Sequence, residues 1–303
     1  MNKIFVGLFL LTVMLSLYFS DNPHITYVRG LVAAKVNNIQ EGQVAGSSVY
    51  KLNATYHRQQ YTLSCELASL KMALSVAGIN IPENELINAV AKDPTPRGNG
   101  VWGNPYQAFV GDVNGKMMNT GYGVYWDPVA LVGLRYRRTE VLKGGSLGEL
   151  IYHLNQGRAV VVWGYYGRGD RYEWRASDGG LVKAVNGEHA RTLIGYTGSM
   201  TNPEKVILLD PIYGELIWPV DEFLANWAAL ENGAVAVYAN PQWVKGFNSP
   251  IVWEISKDGT TRHAVAMGWD AFIASGGVGE GIQVVSQEWL DSKPIGQPLL
   301  SLQ

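Results

Sequence analysis

In SCELASLKMALSVAG the apolar residues recur three to four apart. Leu67, Leu70, Leu74 and Ala77 share one stripe, which predicts a helix over 65–77. Ser64 stands where an N-cap belongs, and Gly78 where a helix stops. A second helix is expected from Pro82 to about Lys92, with Leu86, Ile87 and Val90 inward. From Pro94 to about Pro128 the period is lost among Gly, Pro and aromatic residues; an elaborated surface loop is expected there, of the kind that often carries function. SLGELIYHLNQG then predicts a helix over about 146–155, running into RAVVVWGYY, a β-branched and aromatic strand. Residues 168–187 look like a turn-rich hairpin. HARTLIGYTG, KVILLDPIYGELIWPV and AVAVYANP supply more strands, with the helix PVDEFLANWAAL between the last two. Helices early and antiparallel strands late make this an α+β chain. After about residue 248 the pattern changes, to a hairpin turning at Asp258-Gly259 and a short helix over about 269–274, so 246–303 is expected to form a small separate module.

The N-terminus is different again. Ile4 to Phe19 is an uncharged apolar run of 16 residues behind Lys3. That is long for the core of a signal peptide and short for a span of about 20 residues. Cleavage after Ser20 would place Tyr18 where a small residue belongs, so an uncleaved anchor is expected rather than a cleaved signal. Lys3 favours a cytoplasmic start with the remainder exported. Residues 1–20 are therefore read as anchor or signal, 21–54 as a polar spacer and 55–245 as the main domain.

A net charge of -2 with no basic block argues against a nucleic-acid partner. The 35 Gly, 10 Trp and 16 Tyr fit tight turns and aromatic strands. Cys65 is the only cysteine, which excludes an internal disulfide and a Cys-based zinc site. The five histidines form no HxxxH or HxH pair, so no catalytic metal and no cofactor are expected.

That single thiol sits on the first turn of the predicted 65–77 helix. A helix N-terminus lowers a thiol pKa through its partial positive charge and free N–H groups. Nucleophilic chemistry further requires an imidazole, an acceptor that orients it, and donors for a developing oxyanion. His189 opens the strand HARTLIGY, and Asp210 ends the next strand, VILLD. Antiparallel pairing of these strands would bring the two side chains together. Gln59 and Gln60 lie six and five residues before Cys65, and either can supply the side-chain donor.

The blocks YHRQQYTLSCELASLKMAL, GEHARTLIGY and VILLDPIYGE resemble the three motifs of the C39-like cysteine peptidases, above all the stand-alone exported C39_2 branch, over roughly residues 55–240. The stretch NPYQAFVGDVNG…GYGVYWDPV is similar to that branch's middle loop. The resemblance implies a papain-like fold and peptide-bond hydrolysis. It makes Cys65 the nucleophile, His189 the general base and acid, Asp210 its orienting partner, and Gln59 or Gln60 the oxyanion donor, with Gln59 preferred because its six-residue offset from the Cys is the papain-like one. Glu66 stands where exporter-linked members have Gly, and no transporter domain or P-loop is present, so processing of double-glycine leaders is not implied. The C-terminal segment WEISKDGTTRH…IQVVSQEWLDSKPIGQPL is similar to short tail repeats of bacterial surface proteins.

Other readings remain open. A lone helical Cys is often a core residue. His57 competes as the imidazole. Trp102, Tyr122, Tyr125 and Trp126 either line a groove or pack, and Asp112–Gly115 resembles a calcium turn. A binding protein without turnover, or an acyl transferase or amidase on the same scaffold, would carry the same residues.

Overall fold

The computed structural model describes residues 48–302. The expected span at 4–19 and most of the spacer lie outside them. Among the described residues no helix is long and apolar enough to cross a membrane.

The main sheet is built from β1 (Val49–Lys51), β2 (Thr139–Leu142), β3 (Val160–Tyr165), β6 (Glu188–Ser199), β7 (Asn202–Asp210), β8 (Gly214–Pro219) and β9 (Ala234–Val237). The hairpin β4 (Arg171–Ala176) and β5 (Leu181–Val185) stands beside it as expected. The strand order is β8-β7-β6-β3-β9-β2, antiparallel throughout. The first half of the long β6 pairs with β3, and its second half with β1. The end of the predicted spacer is thus a strand of the sheet.

Both faces of the sheet are covered, which is why the central strands read as continuous apolar runs rather than alternating ones. On one face Val161, Trp163, Ala190, Ile207 and Val235 meet α1 (Cys65–Val76), α2 (Glu83–Ala89) and α3 (Trp126–Leu134). On the other, Val160, Val162, Leu193, Val206 and Leu208 meet α4 (Leu147–Asn155) and α5 (Val220–Trp227). α1 ends where expected, with Gly78 at φ +74° donating to Ser75 O. Its start differs. Ser64 occupies the N-cap position, but its hydroxyl donates to Tyr61 O instead of capping. The capping box is found on α4, between Ser146 and Glu149.

The stretch 94–128 departs most from expectation. Trp102, Phe109, Tyr122, Tyr125 and Trp126 are fully buried, and Trp126 opens α3. Pro128 lies in the first turn of that helix, where its missing N–H costs nothing. The hydroxyls of Tyr122 and Tyr125 bond each other at 2.8 Å, and Tyr125 donates to Lys183 O. Their rings fill the core while the polar tips stay paired.

A four-stranded sheet follows: β10 (Trp243–Gly246), β11 (Val252–Ile255), β12 (Arg262–Ala264) and β13 (Ile282–Val285), in the order β12-β11-β10-β13. The β11–β12 hairpin turns at Gly259, at φ +75°. This small sheet belongs to the same compact unit, Ser47–Gln303, as the large one. Arg138 joins them, bonding Glu254 and Ile255 O.

Candidate active site

Cys65 is the first residue of α1, so its own N–H has no partner within the helix. The helix lies against β6. Thr192 donates its hydroxyl to Ser69 O, and Ala190 N–H points at Cys65 Sγ at 3.5 Å. The sulfur is thereby held at the start of β6, lining the same cavity as His189.

Strand alternation puts His189 and Arg191 on one face of β6. Both reach Asp210 at the end of the neighbouring strand: His189 Nε2 lies 3.0 Å from Oδ2, and Arg191 Nε donates to the same oxygen at 2.8 Å. The other carboxylate oxygen, Oδ1, accepts the N–H groups of Ile212 and Tyr213. Asp210 therefore shapes the turn into β8 with one oxygen and orients the imidazole with the other. Burial alone would raise its pKa, but the bond from His189 and the charge of Arg191 hold it at about 2. Burial pushes the His189 pKa down, against the pull of Asp210. Tyr166 stands edge-on over the imidazole, with ring centroids 5.6 Å apart.

Gln59 is tied to this turn by its main chain, donating N–H to Pro211 O at 3.0 Å. Its amide Nε2 donates to Tyr61 O and Thr62 O, and its buried Oε1 has no partner. Gln59, Cys65 and His189 line one small cavity of about 20 Å³, together with Tyr122, Tyr166, Glu188 and Ile212. Gln60 is exposed and does not line it; its N–H goes to Glu83. His57 is also placed elsewhere, paired with Glu83 at 2.6 Å. Tyr122 is the one of the four aromatic loop candidates that reaches the cavity. Asp112 forms a local turn, accepting from Asn114 N. A larger cavity of about 610 Å³, between Arg138 and the small sheet, holds none of the predicted residues.

In this resting arrangement the thiol does not form the ion pair that a helix N-terminus favours. Sγ bonds Glu66 Oε2 at 3.4 Å. Burial, then the charges of Glu66 and Glu188, push the Cys65 pKa up, outweighing the helix terminus. Arg191 and Glu188 escaped the sequence reading. A signal for Arg191 was present in the spacing His-Ala-Arg within a strand. None marked Glu188, whose neighbours come from distant segments.

Residues 51–235 match the Peptidase_C39 like family. The chain belongs to the C39-like peptidase family. It is 28% identical, over 180 residues, to the uncharacterized protein YvpB of Bacillus subtilis (strain 168), covering 57% of this chain and 68% of YvpB. It also superimposes on the crystal structure of a Bacillus anthracis protein described as C39-like peptidase, with a TM-score of 0.55 and 28% identity. That match covers 63% of this chain and 97% of the other. The three C39-like blocks found in the sequence all fall within the matched region, and the small C-terminal sheet lies beyond it.

Proposed function

We propose that this C39-like protein is a papain-like cysteine peptidase that hydrolyses peptide bonds outside the cytoplasm. The observation that carries the reading is the convergence of Cys65, His189 and Gln59 on one cavity, with His189 anchored by Asp210. Because Nε2 of His189 is bound to Asp210, Nδ1 is the nitrogen left to exchange a proton with the thiol. Cys65 Sγ attacks the carbonyl carbon of the scissile bond and its proton passes to His189. The oxyanion takes the unspent N–H of Cys65 and a donor from Gln59, whose amide must turn from Tyr61 O and Thr62 O to give it. His189 returns the proton to the departing amine, leaving an acyl thioester. Water, deprotonated by His189, attacks the thioester and restores the thiol.

The cavity has room for about one water molecule. A peptide therefore requires Tyr166 and Met117, both partly exposed, to move aside. The uncharged run at 4–19 supports export and retention at the membrane. The test is cleavage of a quenched fluorescent peptide library by the full chain, with intact-mass detection of an acyl-enzyme. Turnover that disappears in Cys65→Ala and falls at least a hundredfold in His189→Ala is expected. Equal signal from wild type and Cys65→Ala would overturn the proposal.

A further inference from the structure

Behind the sulfur, α1 and β6 bring two carboxylates together. One carboxylate oxygen each from Glu66 and Glu188 and the Sγ of Cys65 all lie within 4.8 Å of one another. All three residues are buried. Glu66 Oε1 accepts the N–H of Val124 and its Oε2 faces the sulfur, so one oxygen is fixed and the other turned toward the group. Glu188 is fully buried, and neither of its oxygens has a hydrogen-bond partner. An unpaired buried carboxylate is costly: burial, then the charge of Glu66, push the Glu188 pKa well up, and a retained proton or a bound cation relieves that cost. Among the described residues no basic side chain hydrogen-bonds Glu188: Arg191 and Lys92 reach the pair only through their charges, and Arg191 is committed to Asp210 and Tyr165 O. Gly123 fits the same picture. A Cβ there would stand 2.4 Å from Glu66 Oε1 and 2.8 Å from Glu188 Oε2, so the backbone leaves this space to the carboxylates.

We propose that Cys65, Glu66 and Glu188 form a site for a thiophilic divalent cation of the zinc class, whose occupancy blocks the nucleophile. The exclusion of a Cys-based zinc site drawn from the single cysteine is thereby corrected, because two buried carboxylates take the place of further thiolates. One sulfur and two carboxylate oxygens suit zinc, which places such ligands about 3.5 Å apart at tetrahedral angles; the three atoms need only a modest contraction. Calcium and magnesium require more oxygens and reject the thiolate. The ion enters by the cavity that Cys65 and Glu188 both line, and a water there completes its shell. On binding, the S–H bond and any O–H bond of the two carboxyls break, the protons pass to solvent, and the sulfur and carboxylate lone pairs go to the metal. The inference goes beyond peptide hydrolysis, because it needs Cys65 only as a ligand.

Cadmium and zinc are the probes, added to the purified full chain. Cadmium should give a saturable 1:1 thiolate charge-transfer band in the near ultraviolet. Zinc should displace it and protect Cys65 from iodoacetamide, whereas millimolar magnesium should do neither. Glu188→Gln and Glu66→Gln should each weaken cadmium binding at least tenfold. X-ray absorption at the zinc edge of the wild-type complex should show one sulfur with oxygen neighbours, a readout that needs no variant to fold. A missing saturable band, a shell without sulfur, or unchanged affinity in a folded Glu variant would overturn the site. None of these readouts depends on turnover, so their failure leaves the peptidase reading untouched.

Discussion

Arg191 donates its Nε hydrogen to Oδ2 of Asp210 at 2.8 Å, the oxygen that His189 also reaches. The guanidinium lies over the ring of Trp218, 4.6 Å from its centroid, and bonds Tyr165 O. The carboxylate oxygen that holds the imidazole is itself held by a guanidinium two residues along the same strand. In the proposed mechanism Arg191 acts through Asp210, as a positioning residue.

Removing it leaves Asp210 charged, buried and half-paired. Arg191→Met should destabilise the fold by about 3 kcal/mol, the usual cost of stripping one partner from a buried pair. A urea titration measures that loss. Peptide assays should show kcat falling with KM little changed.

Asp210 also sets an acid limit. Its folded pKa of about 2 lies below the unfolded value near 3.8, so the group stabilises the fold above pH 4. That contribution is lost as pH falls from about 4 through 2, and amounts to roughly 2 kcal/mol. Denaturant titrations at pH 5 and pH 2 should show the loss in the wild type. Asp210→Asn should show a smaller difference between the two.

The two neighbouring glutamines should separate cleanly. Gln59 lines the cavity, whereas Gln60 is exposed and uses only its main chain. Gln59→Ala should lower kcat by about a hundredfold, as expected for one oxyanion donor. Gln60→Ala should stay within about twofold, since only a surface side chain is lost. Equal losses in kcat/KM would remove Gln59 from the role.

Gly123 has φ +140° and no room for a side chain next to Glu66 and Glu188. Gly123→Ala should therefore cost at least about 2 kcal/mol, from backbone strain and displaced carboxylates together. Thermal unfolding tests this. A melting temperature equal to the wild type's would show that the carboxylates yield freely.

Much of the architecture was legible because it is local. The three-to-four spacing of Leu67, Leu70 and Leu74 marks α1, and the runs VILLD and AVAV mark central strands. The stretch 94–128 was not legible. Its aromatic residues look like loop decoration until Trp102, Tyr122 and Tyr125 are seen packed edge to face in the core, where Trp102 meets Trp174, 72 positions away. Pro128, which reads as a loop terminator, is a first-turn residue of α3.

The sequence by itself determined the helix that begins at Cys65, the strands that begin at His189 and end at Asp210, and the family. These follow from short-range period, turn chemistry and motif order. Only the tertiary structure decided which glutamine faces the thiol, that Arg191 buttresses Asp210, and that Glu66 and Glu188 crowd the sulfur. Those relationships range from Glu66, next to Cys65, and Gln59, six positions before it, through Arg191 and Asp210, 19 apart, to Glu188, 123 positions beyond Cys65. Their distances are set by how α1 packs on β6, which no local pattern encodes.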